Sequence, residues 1–426
     1  MLGVGRRGPL GRVEAETGGT VPASERDAWV VLAGVAGVGP LSFERLITSF
    51  GSAEAVLAAS MAPGSAVRLV QATGDGDGGS PTLSPAAAAA VRAAAMDPER
   101  SLAPVRRSGV TVLTLADESY PSRLRAIELP PPVLYLHGDP ACLERTRSIA
   151  IVGTRRPTAL GRAIAGRIAD AVATLEATIV SGLAIGIDGT AHAAAVRAGA
   201  PTVAVIGGGH ERLYPAAHRT LARQIVIAGG AVVSEFPPDT QPSRGTFPRR
   251  NRIISGLADA TIVVEAGARS GALTTAAWAL EQGRSLHLVP GRPDDPAVAG
   301  CLAFLREAGP EARIVAGIPE LLEDLGLLAA GGQRLIVGDA LTAGMTGTEQ
   351  AVAGHLLAGL GTVDALVAAT GARSATILGA LTTLELRGLV LETFGRYRPT
   401  GALAGLGASA GARGASVGGG KRPAAA

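Results

Sequence analysis

Ser148-Ile149-Ala150-Ile151-Val152-Gly153-Thr154-Arg155 opens the part of the chain that decides the fold. Four apolar residues in succession, closed by a glycine, describe a strand buried on both faces. A helical stretch follows from Leu160 to about Thr174, and then the pattern repeats. Further apolar runs lie at Thr178–Val180, Thr202–Ile206, Ala231–Val233, Thr261–Val264 and Leu286–Val289, with a final one at Ala312–Val315. Helical stretches at Gly189–Ala198, Ala216–Ile227, Ala272–Gln282 and Ala297–Ala308 separate most of them. Continuous apolar strands interleaved with helices imply a mostly parallel sheet covered on both faces. The fold class read from residues 148–328 is therefore α/β, a Rossmann-like doubly wound domain.

Outward from this domain the character changes. Residues 1–24 are Gly-rich and are expected to be flexible. Residues 25–100 are helical: Ala28–Leu32 runs into Gly34-Val35-Ala36-Gly37-Val38-Gly39-Pro40, and Phe43–Phe50 follows with helical spacing. Helix, Gly-rich turn and helix make either a helix-hairpin-helix (SAM-like) unit, whose turn amides can meet a phosphate, or a plain helical hairpin. Residues 101–147 hold two short strands, Val110–Leu113 and Val133–Leu136, around Tyr120-Pro121, and extend the Rossmann domain. A linker spans 329–345. Residues 346–400 read as three helices, Glu349–Leu357, Val363–Thr370 and Ser374–Arg387, plus a hairpin, which resembles a winged helix. The Gly/Ala-rich tail, 401–426, is expected to be disordered.

Composition excludes more than it specifies. Nearly half of the 426 residues are hydrophobic, enough for a sizeable core. The formal charge is only +3, so any polyanion site must come from local clustering. Lys421 is the single lysine; a GC-rich genome accounts for so Arg-biased a chain without selection for guanidinium chemistry. Cys142 and Cys301 stand far apart, in neither a disulfide framework nor a metal-type spacing. No signal peptide or bilayer-length apolar run is visible, so a cytoplasmic location and no membrane association are expected.

Local clustering is found at Arg244-Gly245-Thr246-Phe247-Pro248-Arg249-Arg250-Asn251-Arg252, four arginines and a ring with no acidic residue between them. Guanidinium groups hold phosphates, and a ring stacks on an unpaired base. Phosphate contacts are assigned to Arg244, Arg250 and Arg252, a base to Phe247, and Arg249 to solvent. Sites in doubly wound sheets lie beyond the carboxyl ends of the strands. Loops there are Gly153-Thr154-Arg155, Ser181-Gly182-Leu183-Ala184 with Gly186-Ile187-Asp188, Gly207-Gly208-Gly209-His210 before Leu213-Tyr214-Pro215, and Arg269-Ser270-Gly271 at a helix start. Each is either an anion-approaching loop or an ordinary turn. Asp188 and His192 are either an acid–base pair or an N-cap and a structural hydrogen-bonder. The G-x-S-x-G pattern around Ser409 and Ser416 falls in the tail without a preceding strand, so it describes no nucleophile elbow.

These motifs, with Ser234-Glu235-Phe236-Pro237-Pro238, Arg250-Asn251-Arg252-Ile253 and Val289-Pro290-Gly291, occur in an order that resembles the DprA (Smf) family of DNA-processing proteins. The resemblance extends more weakly over about residues 25–400. It implies a non-enzymatic homodimer that binds and protects single-stranded DNA entering in natural transformation and helps load the RecA recombinase, with no cofactor or metal. Carried over by motif, Arg155, Arg244, Phe247, Arg250, Asn251 and Arg252 bind DNA. Gly153, Thr154, Ser181, Gly182, Gly207, Gly208, Ser270 and Gly271 line its pocket. Ile185 stands where the resemblance implies a variable, often polar residue, and Gly300-Cys301-Leu302 lacks an expected Asn. Two other readings remain open. One is a hydrolase like the lysine-decarboxylase-like nucleotide enzymes, although their P-G-G-x-G-T-x-x-E glutamate is missing here. The other is a duplex-DNA regulator using Arg373, Ser374, Thr376 and Arg387 of the winged helix.

Overall fold

Nine strands among the described residues build one sheet, and its order explains where a ligand can sit. The computed structural model describes residues 23–74, 80–327, 345–357, 360–393, 396–400 and 403. The expected flexible start, linker and tail lie almost wholly outside these. Two compact units divide near Leu321.

Helices α1 (Ala23–Ala33), α2 (Pro40–Phe50), α3 (Ala53–Ser60), α4 (Ser65–Ala72), α5 (Pro85–Met96) and α6 (Glu99–Ser108) open the first unit. The α1–α2 turn is a helix-hairpin-helix turn. Gly37 has φ +92°, and a Cβ there would lie 2.9 Å from that of Ala87, so glycine answers both a left-handed backbone and a close approach. Trp29, Leu32, Phe43, Leu46, Val56, Leu69 and Val91 form this subdomain's core, with the Trp29 and Phe43 rings 4.7 Å apart.

The rest of this unit is β1 (Thr111–Thr114), α7 (Ser122–Arg125), β2 (Val133–Gly138), β3 (Ser148–Val152), α8 (Ala159–Thr174), β4 (Thr178–Ser181), α9 (Ile187–Arg197), β5 (Thr202–Val205), α10 (Arg219–Ile227), β6 (Ala231–Ser234), α11 (Thr246–Gly256), β7 (Ala260–Val263), α12 (Ala272–Glu281), β8 (Ser285–Leu288), α13 (Ala299–Ala308) and β9 (Ala312–Ile314), with α14 (Ile318–Asp324) following. The order is β1-β2-β6-β5-β4-β3-β7-β8-β9. Strands β3 to β9 pair in parallel, as expected of runs buried on both faces. β1 and β2 pair with each other and add an antiparallel edge to β6. Their connector is fixed by Tyr120, buried, whose hydroxyl donates to Pro131 O at 2.8 Å. Glu144 accepts from the Ser122 backbone N–H and hydroxyl there.

From β3 the chain steps through β4 and β5 to β6, then crosses back to place β7 on the other side of β3. The crevice of a doubly wound sheet lies at this switch, beyond the carboxyl ends of β3 and β7. The crossing segment contains α11, a helix absent from the sequence-based assignment.

The second unit contains α15 (Gly347–Leu357), α16 (Val363–Thr370), α17 (Ser374–Leu386), β10 (Val390–Thr393) and β11 (Arg396–Pro399), a winged helix around Val352, Leu366, Ile377, Leu381 and Leu384. Among the described residues no single helix is long and apolar enough to cross a membrane; the apolar α16–α17 pair is bent by 115°.

Two histidines tie the first unit's stability to pH. His192 is fully buried on α9, its Nδ1 2.8 Å from Thr202 Oγ1, which itself donates to Ile179 O. Burial pushes His192 down to about 3 and His210 down to about 4. Both are therefore neutral in the folded chain, while the unfolded chain takes up their protons near the ordinary histidine value of about 6.5. Their contribution is fully present above that value and is lost as pH falls toward the depressed ones. Urea unfolding should show stability declining from about pH 6.5 downward. In His192→Asn the overall stability drops, but the slope over this window becomes shallower.

Candidate nucleic-acid interface

The helical period of α11 sorts the arginine cluster that its sequence leaves undivided. Phe247, Arg250 and Ile254 recur at three- and four-residue spacing and face the sheet edge, whereas Arg244, Pro248 and Arg249 are exposed. Arg250 is 4% exposed. Its Nη1 donates to Gly182 O at 2.6 Å and to Val205 O, so one guanidinium ties the carboxyl ends of β4 and β5. Its Nε donates to Asn251 Oδ1 at 3.3 Å, and Asn251 Nδ2 reaches Gly271 O at 3.2 Å. Burial lowers Arg250 to about 10, against the opposing pull of Asp188, so it remains charged at neutral pH. Arg252, also 4% exposed, donates to the buried Glu235 carboxylate at 2.8 Å.

The phosphate role read for Arg250 and Arg252 therefore meets a geometric obstacle. Both guanidiniums are buried and engaged by the protein, because α11 is covered on all sides from Arg250 to Gly256, whereas Arg244 precedes its N-cap, Gly245, and is exposed. Arg250 still lines the cleft; Arg252 does not. Arg249 is half-exposed, over the Phe236 ring and 3.7 Å from Glu235.

Two adjoining cavities occupy the crevice. The larger, about 500 Å³, is lined by Gly153, Thr154, Arg155, Arg156, Arg244, Arg269, Ser270 and Gly271 around the inner face of α11. The smaller, about 290 Å³, is lined by Ile185, Tyr214, Pro215 and Phe247, and shares Arg155, Arg156 and Arg250 with the first. Arg155, Arg156, Arg244 and Arg269 are exposed, and the one carboxylate in the linings is Asp188, which is buried. Sequence reading passed over Arg156, Arg269 and Tyr214, although each stands in or beside a motif it quoted.

Glu265 fixes the loop that carries Arg155. Its backbone oxygen accepts from Thr154 N at 2.7 Å, and its carboxylate accepts from Thr158 N at 2.9 Å and Thr158 Oγ1 at 2.6 Å. Thr158 in turn caps α8 through Gly161 N. Ser270 lies at the start of α12, its Oγ accepting weakly from Ala272 N at 3.4 Å.

Other expected lining groups face the protein instead. Ser181 Oγ is buried and donates to Ile151 O at 2.6 Å. A Cβ on Gly207 would lie 2.8 Å from Phe247 Cδ1, and one on Gly208 3.0 Å from Pro242 N, so these glycines admit neighbouring chain. Neither lines the cavities. Asp188 is not the N-cap of α9; that position is Gly186. Asp188 accepts from Gly182 N at 3.2 Å, and burial raises its carboxyl while Arg250 counters the rise. His192 lies in the core, so no acid–base pair faces the cleft. At α13, Gly300 N donates to Ala266 O at 2.9 Å, and the helix start packs directly on the Glu265–Gly267 loop without the expected Asn.

A doubly wound sheet whose switch point holds exposed guanidiniums, helix-start amides and aromatic rings defines a Rossmann-like protein with a cationic crevice. The chain belongs to the DNA recombination-mediator protein A family, whose sequence model matches residues 111–326. Models of the DprA winged helix domain and the DprA-like N-terminal HHH domain match residues 339–395 and 23–68. It is 39% identical over 226 residues to the DNA processing protein DprA of Bacillus subtilis, covering 53% of this chain and 75% of that one. It is 37% identical over 320 residues to the putative DNA processing protein DprA of Mycobacterium tuberculosis, covering 72% and 81%. The solved DprA of Streptococcus pneumoniae superposes with a TM-score of 0.58 at 28% identity, over 70% of this chain and 97% of that one.

The buried guanidinium yields a stability prediction. Arg250→Met should lower the unfolding free energy by about 3 kcal/mol, since it strands Asp188 and two carbonyls. Arg244→Ala should change it by less than about 0.5 kcal/mol. Paired urea titrations distinguish the two arginines directly.

Proposed function

We propose that this chain binds and protects single-stranded DNA along the carboxyl edge of its sheet. In this reading it takes up strand entering in natural transformation and helps load RecA onto it, as a cytoplasmic homodimer without catalysis or cofactor. The observation that carries the binding step is the cleft lining: four exposed arginines beside Phe247 and Tyr214, with no exposed carboxylate among the lining residues. Fixed cations pair with phosphates, and rings offer faces that only unpaired bases can use. The names of the B. subtilis and S. pneumoniae relatives, DNA processing proteins, fit this assignment. Arg155 and Arg244 are the phosphate contacts of first choice. Arg250 and Asn251 support the cleft from behind, and Arg252 locks α11 to Glu235.

No geometric feature favours the hydrolase reading, because Asp188 faces Arg250 and His192 is in the core. The duplex-regulator reading gains nothing from α17, whose outer positions Leu378 and Leu386 are exposed leucines and whose Arg387 stands 3.9 Å from Glu349.

Filter binding at two salt concentrations, with single- and double-stranded competitors, tests the proposal. Single strands should compete more strongly, and affinity should fall steeply with salt. Arg244→Ala and Arg155→Ala should each reduce the salt slope by about 1. Equal competition by duplex would overturn the single-strand assignment. RecA filament formation on the same DNA tests the loading step.

A further inference from the structure

We propose that His218 is a positioning residue for the cleft, a clasp that joins the Gly182–Ile185 loop to the Tyr214–Pro215 segment. Its effect on binding rests on the single-strand reading above; its hold on the loop does not. Leu183 is a non-glycine residue with a left-handed backbone, φ +56°. That conformation crowds a Cβ against its own carbonyl, so it persists only where the surroundings hold it. Two contacts do so. The Leu183 side chain is fully buried among Ala204, Ile206, Ala222, Ile225 and Val232. Its carbonyl accepts a 2.8 Å hydrogen bond from His218 Nδ1; a carbonyl oxygen only accepts, so this ring nitrogen carries the proton. On one side of the turn Gly182 O accepts from Arg250, and on the other Ala184 and Ile185 line the smaller cavity.

The ring of His218 is fitted to its place. A Cβ on Gly189 would lie 2.5 Å from His218 Cε1, so the first turn of α9 is notched where the imidazole rests. Gly189 N donates to Ala184 O at 3.0 Å and Ile187 N to Thr154 O at 3.2 Å, which ties the loop to α9 and to the Arg155 loop. On its other side the His218 backbone N–H donates to Pro215 O at 3.0 Å, and Tyr214 and Pro215 line the same cavity as Ile185. One residue therefore joins two lining segments that are remote in sequence. His218 lines neither cavity, so it acts on a ligand only through the segments it holds. A wall fixed before the ligand arrives spares binding the entropy of ordering it.

The test uses the full chain, with labelled oligothymidylate at two salt concentrations and amide hydrogen exchange. His218→Ala should weaken binding about three- to tenfold, the scale of one net hydrogen bond. The salt slope should stay unchanged, since no phosphate contact is removed. The Ile187 and Gly189 amides should exchange faster, while those of β4 keep their protection. His218→Asn, whose side-chain amide donates from nearly the same position, should restore both affinity and protection. Gly189→Ala, which displaces the ring without removing its donor, should reproduce the losses of His218→Ala in binding and in Ile187 exchange. A His218→Ala chain that is less stable to urea yet binds like wild type overturns the proposal, because the residue is then structural only. So does a His218→Asn chain as weak as His218→Ala, or Ile187 exchange that no variant moves. Wild type that binds no single strand overturns the single-strand reading instead, and Ile187 exchange then decides alone whether His218 holds the loop.

Discussion

A guanidinium shut away from water must be given acceptors, and the cleft is arranged around the ones Arg250 finds. Burying such a charge costs several kcal/mol unless its donors are satisfied. Here the carbonyls of Gly182 and Val205, at the ends of neighbouring strands, supply them, with Asp188 as the nearby opposite charge. A Cβ at Gly182 would stand 2.6 Å from the guanidinium nitrogens, so the glycine belongs to the arginine rather than to a ligand. The anchor also orients α11. With Arg250 pointing inward, Arg249 in the first turns of α11 is left outside, Arg244 lies exposed just before the helix, and Phe247 lines both cavities.

This constraint marks the limit of what could be read from the chain. Strands β3 to β8 were legible because a strand buried on both faces has no polar alternation, and the structure departs from the apolar runs by a residue or two at their ends. β1 and β2 were recognisable as strands, but their place in the sheet was not, because edge pairing depends on partners remote in sequence. α11 was missed for a physical reason. Four arginines and a proline resemble a solvated loop, and only the sheet edge supplies the carbonyls that make burying two of them tolerable.

The glycines carry a related lesson. A glycine at the end of a buried strand says that something approaches the backbone closely, but not what. At Gly207 the visitor is Phe247, at Gly208 it is Pro242, and at Gly153 it is Ile187, whose Cγ1 lies 2.5 Å from where a Cβ would be. The glycines that read as anion cradles are largely packing glycines. The anion-facing surface is built from side chains on loops held by other means, above all the Arg155 loop tied at both ends to Glu265.

The same distinction separates compositional bias from chemistry. A chain with one lysine uses arginine everywhere, so the presence of arginine at a given site argues nothing by itself. Geometry decides case by case. Arg250 reaches two carbonyls on adjacent strands from one nitrogen while its Nε meets Asn251, a planar fork that a lysine ammonium cannot reproduce. Arg155 lies on a ring as a flat, weakly hydrated cation, which again suits a guanidinium better than an ammonium. Arg244 is exposed on the outer side of the cleft, where a point charge on a flexible stem would serve a phosphate as well. Arginine is thus required by structure at the inner wall, favoured at the shared wall, and interchangeable with lysine at the rim.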